Sequence, residues 1–534
     1  MENKELLIEQ NEVVASDPPK QRVYTVTETV FAWISLLAGY VFCCATPVTE
    51  NPFGALLFVL CLYGVTAFFL RRCGVLLKGL PLYAALSAAA LSLSLVLCTN
   101  PTIHKAVYTY ALAVYMYVVY AAAGNSLKNG FSNLVLADFF RALLILPFAS
   151  FGAVFRALFA NGGKKGGKVL LRVLLGVAIA LVPTVVVCVL LSYDNDFVQL
   201  LDRLFDWDVD IFTHIGNLIL GIPIGMYLFG AYVSAADHRC ADVITCDDCE
   251  RGLKKIKVLP TVTALAALLP ILAVYVLFFV SQWKYYVACF VGELPAQTVY
   301  SEYARDGFFQ LCTVSVINFV MLAAVSLFTA RKGERPSAIQ RVLTVSLSVE
   351  TLILISTAVA KMVMYIDCYG LTPKRVYASW LMVVLAVIFV LIIVQQCAHK
   401  LKLIPAGITA CVLLFALLSF SNVDALIARY NVTRYLEGSL SEIDVVAMEE
   451  LGDSAVPAMV RLMKNLDEQE ERDVADFDYE IYCDVDLDSG VFGLYEKAAC
   501  YLYSSAERLE SDVFSGTIPR LRARTALKEI GILE

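Results

Sequence analysis

Long apolar runs alternate with short polar, mostly basic stretches over most of the chain. Runs near 30–48, 52–70, 79–98, 103–123, 168–192, 213–236, 258–281, 311–330, 342–365, 376–397 and 403–420 stand out. Each approaches the roughly 20 apolar residues that a helix needs to cross a hydrocarbon layer about 30 Å thick. No water reaches the backbone inside lipid, so each run must close its own hydrogen bonds, which selects the helix. The pattern predicts an all-α membrane protein with about 11 transmembrane helices in residues 30–420. A polar cytoplasmic N-terminus, residues 1–29, precedes them, with no basic end and apolar core of a secretory signal. Residues 421–534 follow as a small, mainly helical soluble C-terminal domain.

One stretch resists the pattern. Leu134 to Ala160 is only patchily apolar and holds Asp138, Arg141, Pro147 and Arg156, so it is expected to be interfacial or re-entrant. Charge supports that reading. With the N-terminus inside and 134–160 not crossing, basic residues such as Arg71, Arg72, Lys164, Lys165, Lys254, Lys255, Arg331 and Lys400 fall on the cytoplasmic side. The outer loops keep only Lys105, Arg203, Lys284, Arg305, Lys374 and Arg375. Positive charge is retained inside, so the expected orientation is N-terminus in and C-terminus out.

Composition agrees, with 59% apolar residues and a mean hydropathy of +0.70, above the usual range of soluble chains. The net charge of −7 conceals a split. Residues 1–420 hold 31 Lys/Arg against 25 Asp/Glu, whereas 421–534 hold 11 against 24. No basic stripe suggests nucleic acid as a partner; the expected partners are the lipid bilayer and an envelope protein met through residues 421–534. Many of the 16 cysteines lie inside apolar runs, where cysteine acts as a small hydrophobe.

Three stretches carry a resemblance: Tyr300–Cys312 (YSEYARDGFFQLC), Lys361–Trp380 (KMVMYIDCYGLTPKRVYASW) and Asn422–Tyr435 (NVDALIARYNVTRY). Together they resemble a group of bacterial multi-span membrane proteins catalogued as domain of unknown function 4153/4173. The resemblance covers most of residues 30–470 and implies an integral membrane bundle. It assigns no activity, so no catalytic residue carries over. Locally, Gly370, Thr372 and Pro373 read as a positive-φ turn, a helix N-cap and a first helical position, hence a tight hairpin. Tyr300, Tyr303, Arg305, Phe308 and Phe309 suit an aromatic belt at the membrane boundary.

Candidate chemistry is sparse. Glu350 and Lys361 lie within one apolar run, and intramembrane charge points to function. Ser346, Glu350, Thr357 and Lys361 share one helical stripe, with Asn318, His214 and Asn217 as candidate partners from other helices. This stripe reads as an intramembrane polar path, the alternative being a buried polar contact that fixes helix packing. His238, Cys240, Cys246 and Cys249 put four zinc-type ligands in one loop, the alternative being plain cytosolic thiols. Gly162, Gly167 and Lys168 match phosphate-loop spacing superficially, but Val169 stands where Ser or Thr is required. No other cofactor is expected.

In the tail, Ser441 to Leu466 fits two short amphipathic helices broken at Gly452, with Asp453 or Ser454 as the cap of the second. Asp476 to Asp488 alternates like a half-buried strand. Asp484, Asp486 and Asp488 resemble the start of a calcium loop, although the following glycine and glutamate are each one position late. Cys483 and Cys500 are a candidate disulfide pair for an outward-facing tail. The sequence as given shows no nucleophile–base–acid motif and has only four histidines, which leaves an enzyme the least favoured class. A transporter or sensor of the cell envelope comes first, and a scaffold that recruits partners through its tail comes second.

Overall fold

The computed structural model describes residues 23–160 apart from 73 and 129, then 209–238, 245–291, 300–329, 337–398, 401–470, 473–477, 493–511 and 516–533, with isolated positions between. Its regular elements are helices, and no named strand occurs among the described residues. Eight helices among them are long and apolar enough to cross a membrane, so the chain is a multi-pass membrane protein. The expected runs near 103–123 and 258–281 are helical without joining those eight. The first is rich in tyrosine, whose hydroxyls lower its hydropathy, and the apolar part described in the second is Ala266–Ser281. The run near 168–192 lies outside the described residues, as do the glycine- and lysine-rich segment 162–169 and most of the acidic loop near 193–212.

The chain divides into two compact units. The first comprises residues 1–43 and 150–233 and is organised by α1 (Val26–Ala45) and α8 (Val209–Ala236). These helices touch backbone to backbone, because a Cβ built on Gly39 would lie 2.0 Å from the Gly221 carbonyl oxygen. One on Gly221 would lie 2.6 Å from the Tyr40 nitrogen. Small residues at a crossing let membrane helices approach this closely. Phe31 then packs its ring 4.5 Å from that of Tyr232, and the Tyr40 hydroxyl meets His214 Nδ1 at 3.0 Å. His214 is thus engaged within this unit.

The second unit comprises residues 44–149 and 234–534. It begins with α2 (Pro52–Arg72), α3 (Leu80–Ser92), the short α4 (Ser94–Leu97) and α5 (Pro101–Ala122). The stretch expected to be interfacial or re-entrant runs here as short pieces, α6 (Val135–Phe140), a π-turn over Arg141–Ile145 and a 3-10 turn over Phe148–Ser150; its last piece, α7 (Ala153–Leu158), belongs to the first unit. After α9 (Cys246–Ile256) come the long helices α10 (Thr261–Val291), α11 (Tyr300–Phe328), α12 (Ala338–Tyr369), α13 (Pro373–Cys397) and α14 (Leu403–Phe420). Leu268, Phe308, Leu347, Leu354, Met382 and Phe389 are fully enclosed where α10–α13 meet. Phe308 therefore belongs to the core and not to an aromatic belt, whereas Phe309 is exposed.

The same unit holds the tail helices α15 (Val423–Leu436), α16 (Val445–Glu449), α17 (Val456–Glu470), α18 (Leu494–Ser511) and α19 (Ile518–Lys528). Met459, Leu462, Met463, Tyr501, Leu509 and Leu527 form their common interior, all 0% exposed. The break at Gly452 is a positive-φ residue opening a 3-10 turn. The second helix starts at Val456, so neither Asp453 nor Ser454 stands at the cap expected there; the Asp453 carboxylate pairs with Arg520 Nε at 2.8 Å and the Ser454 hydroxyl meets that of Thr99 at 2.7 Å. The alternating segment does not begin as a strand. Asp476 ends a 3-10 turn and Tyr479 is helical, stacked on Tyr503 with ring centroids 5.5 Å apart.

Candidate functional site

The intramembrane stripe lies on α12, a helix of 32 residues. Glu350 sits between Leu347 and Leu354, both 0% exposed, so part of its carboxyl is carried into the core. Its Oε2 is buried and has no hydrogen-bond partner among the described residues. Beside it a chain of hydrogen bonds crosses three helices. The Tyr275 hydroxyl donates to Asn318 Oδ1 at 2.7 Å, Asn318 Nδ2 donates to Thr351 Oγ1 at 2.9 Å, and Thr351 closes on the Leu347 carbonyl at 2.6 Å. Glu350 is near enough to act electrostatically on Tyr275.

The expected stripe is therefore rearranged. Asn318 engages Thr351 and Tyr275, one residue round the helix from Glu350, because Thr351 is the position that faces α11. Thr357 bonds back to the Ile353 carbonyl of its own helix, which satisfies its hydroxyl without a path. Ser346 is half-buried. Lys361 places its ammonium over Gly307 of α11, where an added Cβ would lie 2.6 Å from Nζ. Tyr275 and Thr351 escape a reading based on charge, since an isolated tyrosine or threonine in an apolar run is unremarkable in sequence.

A second polar centre forms where α12 and α13 meet α15. Gly370 adopts φ 74° and ψ −176° between the two long helices, a region open only to glycine. Asn431 grips the next residue: the Leu371 N–H donates to Asn431 Oδ1 at 2.7 Å, and Asn431 Nδ2 donates to the Leu371 carbonyl at 2.8 Å. The Arg375 guanidinium donates to the carbonyls of Tyr369 and Gly370 and stacks 4.2 Å over the Tyr365 ring. Arg434 pairs with Asp367 at 3.2 Å and lies over Tyr430.

Nearby, Asn100 uses both ends of its amide. Its oxygen accepts from the N–H groups of Thr102 and Ile103, capping α5, while Nδ2 donates to Asp424 Oδ1 at 2.8 Å. Asp424 is 1% exposed, and burial pushes its carboxyl up to about 6 despite that hydrogen bond. The buried Tyr377 hydroxyl lies beside the same pair.

A third centre lies at the opposite end of α5. The Tyr120 hydroxyl and the Leu127 N–H both donate to Asp138 Oδ1, at 2.9 and 3.0 Å, and Arg141 stacks 5.6 Å from the centre of the Tyr120 ring. Burial raises the Asp138 carboxyl above its usual range. Next to it, Thr245 caps α9 reciprocally with Asp248, which puts Cys246 and Cys249 in the first turn. Cys246 Sγ points to Glu250 at 3.8 Å, and burial raises the Cys249 thiol. His238 directs Nδ1 to Asn125 Oδ1 at 3.0 Å. Cys240 lies outside the described residues, and among those described no three His, Cys, Asp or Glu side chains gather as a metal site. Asp484, Asp486, Asp488 and Cys483 also lie outside them; Cys500 is buried in α18.

The three motifs that carried the resemblance thus meet. Lys361 lies over Gly307, and Asn431 and Arg434 hold the hairpin that follows Lys361. A family model, Domain of unknown function (DUF4153), matches residues 85–462. The chain belongs to this family. The matched DUF4153 region includes the Glu350 centre, the Asn431 hairpin and the Asn100–Asp424 pair. No curated protein and no solved structure matches the chain.

Proposed function

We propose that this DUF4153 protein is a transporter or sensor of the bacterial cell membrane, and that Glu350 is its working group. The observation that carries this reading is the buried Glu350 Oε2, inside a membrane-spanning helix and without a hydrogen-bond partner among the described residues. A carboxyl held in a full set of hydrogen bonds resists change, whereas one with an unsatisfied buried oxygen gains from taking up a proton or a cation. The Tyr275–Asn318–Thr351 chain supplies neighbouring donors and acceptors that are already ordered. In this reading the N-terminus is cytoplasmic and residues 421–534 face outward, which the imbalance of basic residues between alternate loops supports.

The test uses purified protein reconstituted in liposomes loaded with a pH-sensitive dye and driven by a potassium diffusion potential. Proton uptake by the wild type that is lost in Glu350→Gln at equal incorporation supports transport. Equal dye traces for the wild type, Glu350→Gln and empty liposomes overturn it.

A scaffold is the second reading. It is favoured by a groove between α17 and α19, where Val460, Ile518 and Leu521 form an apolar floor beside Arg461, Lys464 and Arg522. Capture of an envelope protein from cross-linked cells, lost on Leu521→Asp, distinguishes it from transport.

A further inference from the structure

The ends of α11 and α13 and the starts of α12 and α14 enclose a partly open cleft of about 610 Å³. Its walls are apolar side chains of membrane-spanning helices, among them Phe319, Leu322, Ile388 and Ile392. From Phe319 to Leu327 the wall on α11 rises roughly 12 Å at 1.5 Å per residue. The polar part of the lining is Asn133, Lys257, Ser326, Gln340 and Thr344, with Gln395 and Gln396 near the end of α13. Among the described residues no lining side chain is acidic.

The cations at this end are only partly satisfied. Lys257 is half-buried and has neither an ion pair nor a hydrogen bond among the described residues. Arg341, next to Gln340 but outside the lining, donates one Nη to the Gln396 carbonyl at 2.8 Å, and its Nε is buried without a partner among the described residues. A buried donor left unmade is costly, and a half-buried ammonium without a counterion attracts an anion. The apolar walls exclude an ion alone as the best occupant, since they would remain unfilled.

We infer that this cleft binds an anionic phospholipid, its phosphate at Lys257 and one acyl chain between α11, α13 and α14. Basic pockets between membrane helices recognise headgroups in this way. The site is separate from Glu350 and stands whether or not that carboxyl moves protons. Gly407 provides a direct probe of the chain-binding part, because it lines the cleft and a Cβ added there meets nothing within 4 Å.

The experiment measures binding of a fluorescent phosphatidylglycerol to the detergent-solubilised full chain, competed by unlabelled phosphatidylglycerol, phosphatidylcholine or inorganic phosphate. The wild type should prefer phosphatidylglycerol to phosphatidylcholine by about fivefold, as expected for one headgroup cation. Lys257→Gln should abolish that preference while leaving phosphatidylcholine competition unchanged. Gly407→Leu should weaken both lipids with an unchanged thermal midpoint, which separates a filled cleft from a damaged fold. Equal competition by both lipids, or a preference that survives both variants, overturns the inference. Competition by inorganic phosphate as strong as by phosphatidylglycerol assigns the cations to a free phosphate and overturns the lipid site.

Discussion

Asn431 holds Leu371 by both of its backbone polar groups, with bonds of 2.7 and 2.8 Å, across 60 positions of sequence. The amide reproduces what a neighbouring strand would offer, at a turn between two long helices that has no strand beside it. Asn431 is 5% exposed, so water cannot replace it. Asn431→Ala should lower stability by about 2–3 kcal/mol, the cost of two buried backbone groups left unpaired. Thermal unfolding in detergent measures this, and a loss below about 0.5 kcal/mol would mean that the hairpin holds itself.

Gly370 faces the same side chain. At φ 74° an added methyl would be strained, and its Cβ would lie 2.7 Å from Asn431 Oδ1. Gly370→Ala should cost about 3 kcal/mol from the backbone conformation together with the displaced clamp. In the Asn431→Ala background the penalty should shrink, because only the backbone part is left. Additive losses in the double variant would show that the clash is relieved elsewhere.

Asp424 makes the protein sensitive to pH. Its carboxyl, raised from 3.8 to about 6 in the folded state, binds a proton more tightly when folded than when unfolded. Its contribution is therefore fully present below about pH 4 and is lost as pH rises through about 6, a change of about 3 kcal/mol. Asp424→Asn mimics the protonated side chain and keeps an acceptor for Asn100. The variant should raise the thermal midpoint at pH 7.5 and flatten its dependence between pH 4 and 7. An unchanged pH profile would place the titrating group elsewhere.

The crossing of α1 and α8 offers a test independent of the second unit. Gly221→Ala brings a Cβ within 2.6 Å of the Tyr40 backbone nitrogen, and neither backbone can yield without separating the helices. The expected cost is about 2 kcal/mol, as for overpacked cores. Gly64→Ala on α2 is the matched control, since a Cβ there meets nothing within 4 Å. Equal midpoints for the two variants would contradict a tight crossing.

Much of the helical framework is legible in the order of residues. The apolar runs locate the membrane-spanning helices to within a few positions because lipid leaves a long apolar segment no alternative to closing its own hydrogen bonds. The hairpin at Gly370–Pro373 is legible for a similarly local reason, since glycine and proline restrict the backbone at their own positions. Glu350 is also legible, as an acid in an apolar run. Its neighbours are not, because spacing along one helix gives the shared face and not the residue opposite. Thr351, rather than Glu350, meets Asn318.

By itself, then, the sequence determined that this is a multi-pass helical membrane protein of the DUF4153 type, with one acid deep in a span and a turn of fixed form after it. The tertiary structure decided which polar groups share a partner. Asn100 and Asp424 lie 324 positions apart and share a hydrogen bond, and Lys361 is brought over Gly307 by the packing of α12 on α11. Local preferences act over a few residues, whereas these pairings arise from helix crossings that bring distant positions within bonding distance.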